Sequence, residues 1–127
     1  MDGMINGVNA YDYTLFQRAK IERYDREGKV YNGKLRLILI AENVPVGLAN
    51  NTSNATAIQN GNGNTVINQT FLLHTRFSNI KAGDVITVGD GITPDLFGVF
   101  DAAKPYPVMD QNGVHHYEVI LVQKTDA

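Results

Sequence analysis

Lys34-Leu35-Arg36-Leu37-Ile38-Leu39-Ile40-Ala41 is the most hydrophobic stretch of the chain, and the architecture turns on whether it is strand or helix. In an extended chain alternate residues face opposite ways, so Leu35, Leu37 and Leu39 share one face and Arg36, Ile38 and Ile40 the other. One end is then half exposed and the other buried on both sides. Two isoleucines and the preceding Asn32-Gly33 turn signal favour strand over a short helix. Pro45 limits any continuation to an edge strand or an extended loop.

The flanking sequence repeats this grammar. Tyr24 to Tyr31 (YDREGKVY) reads as a turn between two extended arms, although propensity alone would allow a helix over Ala19 to Glu27. Tyr11 to Arg18 (YDYTLFQR) is aromatic and β-branched and predicts a strand. Downstream, strands are predicted at Val66 to Phe77, Val85 to Gly89, Leu96 to Phe100 and Val114 to Gln123. The turns between them are Ile80 to Asp84, Asp90-Gly91 and Gln111-Asn112-Gly113, with an extended loop at Pro105 and Pro107. Gly98 marks a bulge or a close backbone approach. Short strands separated by turn signals predict an all-β fold, a small β-barrel or compact sandwich of about six to seven strands with at most one short helix. With 127 residues there is room for one such domain, over 11–127, behind a flexible N-terminal arm at 1–10. No internal repeat is visible.

Ala49 to Asn64 (ANNTSNATAIQNGNGN) breaks the pattern. Six of its residues are Asn, and Ile58 is its sole sizeable apolar residue. Burial cannot offset its ordering entropy, so it reads as a long mobile inter-strand loop that orders in a complex, or as a tolerated insertion. Asn-x-Ser/Thr sequons at Asn50, Asn51, Asn54 and Asn68 follow from this composition.

Charge is unevenly placed. Gln17 to Arg36 holds seven basic and three acidic residues; Leu37 to Thr75 holds one charge, Glu42; Arg76 to Ala127 holds four basic and seven acidic residues. The basic stretch is either a solvated hairpin surface or a contact for phosphate or an acidic partner, a second copy of the chain included. With a net charge of −2 there is no chain-wide basic footprint for nucleic acid. Tyr13, Tyr24 and Tyr31 lie near the basic stretch, but a stacking platform needs more positive charge than this.

Some chemistry is excluded by inventory. There is no Cys, hence no disulfide, thiol nucleophile or thiolate metal site. No apolar run approaches the roughly 20 residues of a membrane span, and Met1 to Asn9 lacks the pattern of a signal peptide. Gly61-Asn62-Gly63 lacks the Lys and third glycine of a phosphate loop. Ser53 and Ser78 are the only serines, neither in a nucleophile elbow. Asp84, Asp90, Asp95, Asp101 and Asp110 have turn spacing, not that of a calcium loop. Adjacent His115 and His116 should point to opposite faces of a strand, so a metal site on either needs distant partners. The inventory argues against an enzyme, and no cofactor or metal is expected.

The order of segments resembles a known family. "Y-D-Y-T-L-F-Q-R" precedes "Y-D-R-E-G-K-V-Y" and a polar middle; then come "T-F-L-L-H-T-R-F", "I-K-A-G-D-V-I-T-V-G", "L-F-G-V-F-D-A-A-K-P-Y" and "H-H-Y-E-V-I-L-V". Over most of Tyr11 to Gln123 this is similar to the head-closure, or head–tail connector, proteins of tailed bacteriophages and prophages. The resemblance implies a small β-barrel virion protein, not an enzyme, that joins a ring under the portal, closes the DNA-filled head and receives the tail. It is assembled in the host cytoplasm, with portal or adaptor and tail proteins as partners and no membrane contact. It also implies that the long loop faces the central channel, with Asn51, Asn54, Gln59, Asn60, Asn62 and Asn64 near DNA in a non-specific way. This sequence departs from the family in its Asn-rich loop and its longer "R-A-K-I-E-R" run. The charge pattern suggests that a ring forms head to tail, with Arg18, Lys20, Arg23 and Arg26 meeting Asp90, Asp95 and Asp101 of a neighbour. A free-standing β-barrel binding module, or another neck or tail-completion protein, is the alternative.

Overall fold

The structure is a computed structural model that describes residues 4–5, 8–9, 14–26, 35–59 and 65–124, with the backbone alone for 4–5, 8–9, 50–59 and 65–69. Nine strands run in chain order: β1 (Met4–Ile5), β2 (Val8–Asn9), β3 (Gln17–Tyr24), β4 (Leu37–Gln59), β5 (Thr65–Thr75), β6 (Val85–Gly89), β7 (Gly98–Ala102), β8 (Tyr106–Asp110) and β9 (Gly113–Gln123). No α-helix occurs among the described residues. Among the described residues β1 and β2 pair only with each other.

The other seven strands form one antiparallel sheet in the order β5-β4-β3-β6-β7-β9-β8, and a further β5–β9 pairing closes it. The ring therefore has six walls, β3, β4, β5, β9, β7 and β6. β9 is its hub. One edge pairs with β5 from Tyr117 to Val122. The other pairs with β8 over Gly113 to Glu118 and with β7 over Leu121 to Gln123. β8 is thus a short edge strand, which is why it tolerates Pro107 where a loop was expected.

The core is the inward half of each strand's alternation. Ala19 and Ile21 of β3, Val44 and Val46 of β4, Leu73 of β5, Ile86 and Val88 of β6, Phe100 of β7 and Val119 and Leu121 of β9 are all buried. Phe100 meets Phe71 edge to face, with ring centroids 5.0 Å apart. Side chains of this size fill a barrel of so few strands, so it encloses a packed core.

Three expectations shift. Of the strand expected over Tyr11 to Arg18, Tyr11 to Tyr13 lie outside the described residues, and β3 begins at Gln17, with Ala19 and Ile21 at its inward positions. Leu96 and Phe97 belong to a turn, and the strand starts at Gly98. The third concerns the apolar end of Lys34 to Ala41, expected to be buried on both faces: Ile38 and Leu39 are 40% and 51% exposed. Pairing slips twice, since Ala19 faces Val44, Ile21 faces Ala41 and Glu22 faces Leu39. β4 therefore carries extra residues on both sides of Ala41, and Asn43 takes the left-handed φ of 58° that such a bulge favours. Each slip flips the facing, and the core passes to Val44 and Val46.

Beyond Val46 β4 leaves β3 and pairs only with β5, as far as Gln59 opposite Thr65. Thr56 to Gln59 pair with Thr65 to Asn68 and, among the described residues, with no other strand. The loop expected over 49–64 is thus, as far as Gln59, the outer part of a long β-hairpin. A two-stranded ladder satisfies its backbone groups mutually and needs no buried side chains.

Candidate functional site

The barrel is closed by β5 against β9, and polar chemistry collects on the outer face of that seam. Leu73 and Thr75 point inward, so Leu72 and His74 point outward; Val119 and Leu121 point inward, so Glu118, Ile120 and Val122 point outward. In register, Leu72 lies opposite Ile120 and His74 opposite Glu118. Ile120 and Val122 are each 48% exposed. The outer strip thus runs from apolar at Val122 to polar at Glu118, and His116 follows two residues further along β9.

His74 Nδ1 and His116 Nε2 lie 3.6 Å and 3.7 Å from the same atom, Glu118 Oε2. The two imidazole rings are 5.7 Å apart. One ligand atom from each of the three residues falls within 4.8 Å of the others. His115 joins them against expectation, its Nδ1 only 2.9 Å from His116 Nδ1. The β8–β9 register slips at this point: Val108 faces His116 but Met109 faces Val114, so His115 is the extra residue of a bulge. The simple alternation that would separate adjacent side chains fails there. All three histidines of the chain are therefore gathered at this end of the seam, His74 and His116 beside Glu118 and His115 beside His116. Partial burial of His116, followed by the nearby His115 and His74, holds its pKa below the usual 6.5, against the opposing pull of Glu118. Imidazoles beside a carboxylate can exchange protons and hydrogen bonds or ligate a borderline cation.

The sequence missed this cluster because its parts are 42 residues apart, from His74 to His116, and only strand pairing joins them. The available signal was H-x-E within the last strand, which puts His116 and Glu118 on one face.

The residues of the expected charged interface have these places in the structure. β3 pairs directly with β6, which sets Arg18 opposite Gly89, next to Asp90. Arg18 donates from Nη1 to the carbonyls of Leu15 and Gln17. Lys20 lies 3.6 Å from Glu22. Arg23 grips buried Asp84 through two hydrogen bonds and also donates to Asn79. Asp101 is 3.5 Å from Lys124 Nζ. Asp90 accepts from the N–H groups of Ile92 and Thr93, which hold its carboxyl below the usual range. Arg26 and Asp95 are exposed at the surface.

In the hairpin, Asn51 pairs with Thr70 and Gln59 with Thr65, while Asn54 lies in the irregular stretch between Asn51 and Thr56. Asn60, Asn62 and Asn64 lie outside the described residues. Compared with protein-family models, with curated proteins and with solved structures, the chain has no significant match.

Proposed function

We propose that this chain is a structural subunit of a tailed-phage or prophage particle, one of a ring at the head–tail junction that closes the filled head and joins portal to tail. The observation that carries the reading is the β4–β5 hairpin, which continues past a small closed barrel from Asn51 onward. A compact body with one long two-stranded arm suits a ring subunit that reaches into a channel or onto a neighbour. The resemblance adds support, because its motifs map onto successive walls: "T-F-L-L-H-T" is the body half of β5, "V-I-T-V-G" is β6, and "H-H-Y-E-V-I-L-V" is most of β9.

The outer surface offers material for such contacts. Phe16, Leu39, Ile92 and Tyr106 are more than half exposed. Because Arg23 is engaged by Asp84 and Lys20 lies beside Glu22, head-to-tail charge pairing in this reading falls first to exposed Arg26 and Asp95. The neutral, Asn-rich hairpin suits a channel-facing arm that passes DNA without gripping it.

Quantitative mass spectrometry of purified particles tests the reading, with this chain counted against the portal. A copy number equal to the portal's supports a neck ring. Absence from particles overturns it and favours a free-standing binding module, for which the apolar strip of Leu72, Ile120 and Val122 is the specific feature.

A further inference from the structure

We propose that His74, His116 and Glu118 form a binding site for one first-row divalent cation of the zinc type, which clamps β5 to β9 across the closing seam of the barrel. The argument is independent of the phage reading. Cations of this type sit about 2.0–2.2 Å from imidazole nitrogen and carboxylate oxygen, so tetrahedral ligands lie roughly 3.3–3.6 Å apart. Two of the three separations, 3.6 Å and 3.7 Å, already match this within small side-chain rotations. The third, between the two imidazoles, lies within 4.8 Å and closes as the rings turn toward a shared ion.

Ligand chemistry narrows the cation. Two imidazoles with one carboxylate suit zinc and its neighbours, whereas magnesium and calcium prefer oxygen donors throughout. His115 supplies the outer support that ligating histidines commonly have. Across the 2.9 Å between the two Nδ1 atoms one nitrogen must donate. When His116 Nδ1–H donates to His115, the lone pair of His116 Nε2 faces Glu118, the tautomer that ligation requires. Three protein ligands leave a fourth position for water or for a donor from outside the chain. Moderate exposure, 30% for His74, 14% for His116 and 35% for Glu118, gives the ion a path in.

The test uses the tag-free full chain stripped with EDTA. Isothermal titration with zinc chloride is expected to show about one equivalent bound. Zinc at 100-fold over Kd should raise Tm by at least about 4 °C, and magnesium should not. His74→Ala and Glu118→Gln should each weaken zinc binding at least 10-fold, and His115→Ala roughly 10-fold. Nitrogen-15 NMR of the imidazoles in the unmutated chain guards against variants that fail to fold: zinc should shift the ring nitrogens of His74 and His116. The proposal is overturned by no zinc binding, by unchanged imidazole resonances on binding, or by folded His74→Ala and Glu118→Gln variants that bind zinc as tightly as the parent.

Discussion

Arg23 and Asp84 meet side-on, Nε to Oδ1 at 2.8 Å and Nη2 to Oδ2 at 2.9 Å, and join the end of β3 to the turn before β6. Asp84 is 1% exposed, and its Oδ2 also accepts from the Lys81 N–H. Removing one partner of such a pair leaves a buried charge uncompensated. Arg23→Met and Asp84→Ala are each expected to cost about 2–4 kcal/mol in urea unfolding. A double-mutant cycle should show strong coupling; additive losses would mean that the two groups act separately.

Gly89 sits under the turn that follows it. A Cβ there would collide with the Thr93 and Pro94 carbonyl groups. Because the obstacle is backbone, side-chain rotation cannot relieve it. Gly89→Ala should destabilise by more than about 2 kcal/mol. Gly113→Ala, where a Cβ meets nothing, is strained only by its φ of 115° and should cost less. Comparing the two Tm values checks this.

Phe100 fills the barrel interior against Phe71 and is fully buried. Phe100→Ala should cost about 3–5 kcal/mol, and Phe100→Leu clearly less, because Leu refills part of the cavity. Chemical denaturation midpoints measure both.

The hairpin beyond the barrel should be separable from it. Joining Asn51 to Thr70 through an Asn-Gly turn leaves every register pair between the six barrel walls in place. The shortened chain is expected to keep its far-UV circular dichroism and to melt within about 3 °C of the parent. In a phage context, it should form particles that lose packaged DNA. A large drop in Tm would instead make the hairpin part of the folding unit.

Acid should weaken the seam. In the folded chain His116 has a pKa below 6.5, with His115, His74 and Glu118 facing it, so the unfolded chain takes up the proton first as pH falls. Stability is then complete above about 6.5 and is lost as pH drops through the lower folded value. In EDTA, His116→Asn should flatten the fall of the urea midpoint between pH 7.5 and 5, set against the unmutated chain. An unchanged slope would place the acid sensitivity in the carboxylates.

What could be read from residues was mostly local. Val85 to Gly89 and Val114 to Gln123 announced themselves by β-branched runs between clear turns, and the structure has strands there. Leu37 to Ile40 misled because hydrophobicity does not reveal a slipped register: Leu39, opposite Glu22, takes the outer face and is 51% exposed, and Ile38, opposite Arg23, is 40% exposed. His115 and His116 misled for the same reason. The charge pattern is a different case. A linear count cannot show that β3 lies against β6, so groups well separated in sequence become neighbours in space. His74 and Glu118 are likewise joined by a pairing between distant strands, for which the chain carries no local sign.

β9 touches three strands and follows all of them in the chain. During synthesis the wall therefore stays open until the last barrel strand leaves the ribosome, with the free edges of β5 and β7 waiting for it. Most of the ladder joins residues far apart in sequence, the topology that makes folding slow. For that interval the nascent chain presents open edges able to pair with other chains. Yield in cells should thus depend on how quickly Gly113 to Gln123 docks, and a slow step there would appear as aggregation during expression even when the finished barrel is stable.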